Sequence, residues 1–137
     1  MQLKIAALLA NEILILWNGK SMLVPALYRD NTTYVPVWYV MQLLHQTGVQ
    51  STWTGRFWYV QSTSQPNLEN IHPGTGTASI YLDGVLVQNV TPAVTLAVTN
   101  EPSTTFMAIS PVAQLLSRLG LQSNWNGTLW TVTPLNQ

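Results

Sequence analysis

The chain has 137 residues, 47% of them apolar, with five basic and five acidic side chains, so only 7% are charged where about 25% is usual. The net charge is zero and Lys4, Lys20, Arg29, Arg56 and Arg118 are scattered, which leaves no electrostatic footprint for nucleic acid or an anionic membrane surface. There is no cysteine, which excludes a disulfide framework and a thiolate metal site.

Solubility then rests on Ser, Thr, Asn and Gln, which stay polar at any pH. That composition suits an acidic or wall-associated exterior and leads us to expect acid tolerance. The start, MQLKIAALLANEILILW, has Lys4 before an apolar run from Ile5 to Ala10. The run is too short for a signal-peptide core, is broken by Asn11 and Glu12, and lacks a clear cleavage site, so it reads as an expressed start with any export signal removed or absent. No stretch approaches the roughly 20 apolar residues of a membrane span, and no membrane insertion is expected.

ILWNGKSML, from Ile15, places Asn18-Gly19 between apolar runs. Such a pair favours a two-residue hairpin turn, because both positions take positive φ. TTYVPVWYVMQLLHQTG follows, with Val37, Val40, Met41 and Leu44 spaced as one face of a helix and Gly48 placed for a left-handed C-terminal cap. QSTWTGRFWYV, Gln50 to Val60, predicts a second hairpin turning at Thr54-Gly55. STSQPNLENIHPGTGTAS, rich in Pro, Gly, Ser and Thr, reads as a linker.

The order then repeats. IYLDGVLVQ supplies Asp83-Gly84, and TTFMAISPVAQLLSRLG predicts a helix with Ile109, Val112, Ala113 and Leu116 inward, Ser110 as N-cap and Pro111 at the first helical position. Gly120 follows as a cap, and QSNWNGTLWTV, Gln122 to Val132, predicts a hairpin at Asn126-Gly127. Sliding the chain by 72 residues aligns Thr32–Val60 with Thr104–Val132 at 13 identities in 29 positions, which points to duplication.

The expected fold is α+β: two tandem β-β-α-β-β units with antiparallel hairpins packed on one helix each. They span residues 1–62 and 79–137, joined by a linker at 63–78. Units this small are marginal alone, so intramolecular packing of the two repeats is expected.

The NG turn, the helix opened by YVPV, LLHQTG and the W-x-G hairpin resemble the copper amine oxidase N-terminal-like, or stalk, domain. The similarity covers Ile13–Ser62 and Ser79–Pro134. That family usually has Arg two residues after the helix-opening Pro and Glu within the helix. Trp38 and Gln42 stand roughly there in the first copy and Ser110 and Gln114 in the second, in keeping with the general avoidance of charge. The resemblance implies a tandem module of secreted or cell-surface proteins of Gram-positive bacteria. It implies no oxidase activity, since copper and quinone belong to another domain of those enzymes.

The residues point the same way. His45, on the helix, and His72, in the linker, have no second ligand at useful spacing, so no metal or cofactor is expected. Glu12, Asp30, Glu69, Asp83 and Glu101 belong to different loops or strand ends and form no catalytic pair, so no catalytic residue is assigned. Asn31-Thr32-Thr33, Asn89-Val90-Thr91 and Asn126-Gly127-Thr128 match the glycosylation sequon, a triplet common by chance.

Apolar positions shared by both copies read as core: Trp53 and Trp125, Trp58 and Trp130, Val60 and Val132, Leu44 and Leu116, with Trp17 opposite Leu82. Aromatic positions not shared carry the binding candidates. Trp38 is answered by Ser110, Tyr39 by Pro111 and Tyr59 by Thr131, so a common fold does not require them. Trp38, Gln42 and His45 fall on the helix face away from the core, and Phe57 shares a strand face with Tyr59. Trp38, Tyr39, Phe57 and Tyr59 either dock the second copy or contact an outside ligand. The leading expectation is a non-catalytic spacer on a bacterial surface. The alternatives are a module that binds carbohydrate or cell-wall polysaccharide and an accessory domain that binds an enzyme or another surface protein.

Overall fold

A computed structural model describes residues 12–94 and 105–134. The signal-like run at Ile5–Ala10 and Glu101 lie outside the described residues. The architecture is α+β: twelve strands in three four-stranded sheets and two helices among the described residues.

The strands are β1 (Glu12–Trp17), β2 (Lys20–Pro25), β3 (Leu27–Arg29), β4 (Thr32–Pro36), β5 (Gln50–Trp53), β6 (Phe57–Gln61), β7 (Ala78–Leu82), β8 (Val85–Val90), β9 (Ala93–Val94), β10 (Thr105–Ala108), β11 (Leu121–Trp125) and β12 (Leu129–Pro134). Helix α1 is Val37–Gln46 and α2 is Ile109–Arg118. The Asn18-Gly19 and Asp83-Gly84 turns have positive φ at both positions (50° and 86°, 50° and 84°), the backbone that only Gly, Asn and Asp adopt readily.

Every sheet is shared between the two halves of the chain. The first runs β11-β12-β1-β2, with β1 parallel to β12. The second runs β5-β6-β7-β8, with β6 parallel to β7. Thus the opening hairpin of each repeat docks on the closing hairpin of the other. The third runs β3-β4-β10-β9, joined by antiparallel pairing of β4 with β10. This sheet departs from the expected β-β-α-β-β units: β3 and β4 precede α1, and β9 and β10 precede α2; β3 and β4 connect through Asp30-Asn31, both at positive φ (54° and 60°). This turn has no glycine, so it carries none of the Asn-Gly or Asp-Gly signal of the other hairpins.

Inward residues of the first two sheets and both helices form one core. Trp58, Trp130, Ile15, Ile80, Leu44 and Leu116 are fully buried there, and Trp53 and Trp125 pack partly buried against it. No polar or charged residue is buried among the described ones. The Trp58 and Trp130 indole N–H groups have no protein acceptor, so these side chains serve the core by volume rather than by hydrogen bonding.

Three local expectations are corrected. The helices bury Val37, Val40, Leu43 and Leu44, and Ile109, Val112, Leu115 and Leu116. Met41 and Ala113 turn to the core's margin, because the elements around each helix cover a stripe displaced toward Leu43 and Leu115. Ser110 is not the N-cap: β10 runs directly into α2, Ala108 is the capping residue, and no side-chain cap bond forms. Pro111 is accordingly the third helical residue rather than the first, still compatible because first-turn N–H groups lack intrahelical partners. Finally, Thr54 does not centre its turn. Its hydroxyl accepts from the Phe57 N–H at 2.9 Å, and the Asn126 side-chain Oδ1 accepts from the Leu129 N–H at 2.8 Å in the second copy. Gly48 and Gly120 do follow their helices at φ 91° and 86°.

Residues 62–77 contain neither helix nor strand, yet the segment is tied down. The Arg118 guanidinium donates to the carbonyls of Asn67 (2.9 Å), Glu69 (2.8 Å) and Asn70 (3.3 Å). Asn89 donates from its backbone to Pro73 O and from its side chain to Gly74 O, both at 2.8 Å. At one end the Asp83 carboxylate accepts from the Ser62 N–H (2.9 Å) and hydroxyl (2.7 Å). The Ser62 hydrogen bonds hold that carboxyl below the ordinary aspartate range.

Candidate functional site

The aromatic candidates fall on two surfaces. On the outer face of the second sheet, Tyr59 of β6 stands opposite Tyr81 of β7. Their rings stack with centroids 5.4 Å apart, and Phe57 lies 6.0 Å from each. Arg56 covers Phe57 at 5.4 Å. Tyr59 remains 45% exposed, but its ring neighbours belong to both repeats, so the cluster joins β6 to β7. The equivalent positions of the first sheet are Leu129 and Thr131 beside Leu16. Tyr81 was not singled out from sequence, because its contact depends on a strand pairing between repeats.

Trp38 and Tyr39 occupy the first turn of α1, in edge-to-face contact at 4.8 Å. Tyr39 is half-buried against the core, whereas Trp38 is 56% exposed. The indole borders an open groove of about 500 Å³ between α1 and β5. Gln42 and His45 continue the groove along the helix, and Gln50 and Ser51 supply its β5 wall. His45 is the only titratable group on it. The Ser51 hydroxyl is buried without a protein partner. A smaller cleft of about 320 Å³, lined by Asn18, Lys20 and Thr47, shares Gln46 with it.

The duplication builds this groove twice. Between α2 and β11 lies a counterpart of about 340 Å³ with Ser110, Gln114, Ser117, Gln122 and Ser123, each 72 positions after its equivalent. Gln42, Gln50 and Ser51 recur in the second copy, while Trp38 becomes Ser110, Met41 becomes Ala113 and His45 becomes Ser117. Gln50 and Ser51 were passed over in the sequence. The available signal was identity between copies at polar positions that a core does not require.

Among the described residues no three His or carboxylate groups gather as a metal-binding cluster. No helix of the described residues is long and apolar enough to cross a membrane.

No family model, curated protein or solved structure matches the chain.

Proposed function

We propose that this chain is a non-catalytic, extracytoplasmic spacer of the stalk type, built on two tandem α+β repeats and belonging to a bacterial surface or secreted protein. The copper amine oxidase N-terminal-like pattern read from NG, YVPV, LLHQTG and W-x-G supports the family, and the polar, nearly uncharged surface suits a wall-associated exterior.

The observation that carries the reading is the parallel pair β1 and β12, in register from Leu14 opposite Leu129 to Trp17 opposite Val132. A spacer transmits tension along its chain. Tension entering at the start of β1 and leaving at the end of β12 pulls two parallel neighbours in opposite directions. The ladder between them is loaded in shear, so its hydrogen bonds resist together and forced unfolding is slow.

Single-molecule stretching tests this directly. Handles at the two chain ends load the pair in shear, whereas handles at Asn18 and the C-terminal end peel β1 from β12 one bond at a time. The end-to-end geometry is expected to need the higher rupture force. Equal or lower force in that geometry overturns the load-bearing reading.

A further inference from the structure

We infer that the groove between α1 and β5 binds an uncharged glycan chain, with the Trp38 indole as its stacking surface. This goes beyond the spacer reading and does not depend on it.

Trp38 carries the first step. A large apolar ring left 56% exposed forgoes burial that would stabilise the fold, and the twin groove shows that the fold does not require it, since Ser110 stands there. The contact with Tyr39 is edge-to-face, with planes 82° apart. Such a contact covers at most one face of either ring. Tyr59 differs: Tyr81 stacks on it and Phe57 lies beside it. The helix surface therefore offers the better platform, and the sheet surface serves the join between repeats.

The walls decide the chemistry of the occupant. Gln42, Gln46 and Gln50 each present an amide with both donors and an acceptor. Groups that both donate and accept match sugar hydroxyls, while the C–H face of a hexose covers an aromatic ring. An anionic chain would meet no lysine or arginine along the groove between α1 and β5; Lys20 stands only in the adjoining cleft. A flat protein partner would meet a concave, amide-lined surface rather than an apolar patch. The cleft beyond Gln46, where Asn18, Lys20 and Thr47 stand, lengthens the surface, which favours an oligomer over a monosaccharide.

The second groove is an internal control. It keeps Gln114, Gln122 and Ser123 but has no aromatic ring, so the chain should bind with one dominant site rather than two equal ones.

The test titrates the full chain with cellohexaose, chitohexaose and an oligogalacturonate, using calorimetry and amide chemical shifts. At least one neutral hexamer is expected to bind, with the largest shifts within residues 38–51. Trp38→Ala should lower that affinity roughly tenfold, while Ser110→Ala and Tyr59→Ala leave it unchanged. Trp38 is exposed, so thermal melting should show the variant folded. The inference fails if neither neutral hexamer binds at millimolar concentration or if Trp38→Ala binds as tightly as the unaltered chain. It also fails if the oligogalacturonate is preferred or if the shifts gather on the outer face of the second sheet.

Discussion

Gly76 lies against β8 so closely that a Cβ added to it would overlap the Val90 backbone. The neighbouring bonds from Asn89 to Pro73 O and Gly74 O hold the segment there, so it cannot retreat without losing them. Gly76→Ala should therefore cost about 1–3 kcal/mol through overpacking, read as a lower denaturant midpoint with unchanged slope. Asp83 gives a smaller effect with a defined sign. Its folded pKa lies below the ordinary value because of Ser62, so its contribution is present above the unfolded pKa and fades as pH falls through the folded one. In melts from pH 6 to 2, Asp83→Asn should remove a small acid-dependent fraction of the Tm change, since the carboxylate is solvent-screened. The two positions also differ in legibility. Asp83-Gly84 announces its turn because few residue types accept its backbone, whereas nothing near Gly76 names the strand that passes it.

At the scale of elements, hydrophobic spacing located both helices but misplaced their inner stripes. Met41 and Leu43 are both apolar, and the packed neighbours decide which is buried. This also bears on the groove: Met41 lines it because Leu43 takes the core position. Trp38, Tyr39 and Tyr59 were visible as aromatic residues without an aromatic counterpart in the second copy, and Phe57 as the residue sharing a strand face with Tyr59. Their division between two surfaces was not, because it follows from how strands pair. The segment at 62–77 read as a linker from composition, and its anchoring depends on Arg118, 48 or more positions away. Arg118→Ala should release the carbonyls of Asn67, Glu69 and Asn70. These bonds are exposed, so we expect about 1 kcal/mol of lost stability, with faster hydrogen exchange at Glu69 and Asn89 than elsewhere in the chain.

The whole molecule has a near-twofold internal order: β6 pairs with β7 as β12 pairs with β1, and β4 meets β10 between them. Repetition was legible in the spacing of Trp53, Gly55 and Trp58 against Trp125, Gly127 and Trp130. The exchange of hairpins was not, because a hairpin with one apolar face has the same local pattern whichever sheet receives it. Exchange has a thermodynamic consequence. Neither repeat owns a complete sheet, and Trp58 and Trp130 belong to one continuous core, so the chain should unfold in a single cooperative transition. Trp58→Ala and Trp130→Ala should each lower the stability of the entire molecule by about 3–5 kcal/mol, measured by denaturant melts followed both by fluorescence and by far-UV dichroism. Cutting the chain makes the sharper experiment. Fragments 1–64 and 65–137 should each be unfolded alone, since each lacks the partner strands that complete its hairpins. Mixed together, they should recover the dichroism and amide spectrum of the intact chain, with a midpoint that rises with concentration because folding has become bimolecular. A fragment that folds independently, or an intact chain that melts in two separable steps, would show that each repeat can satisfy its own sheet.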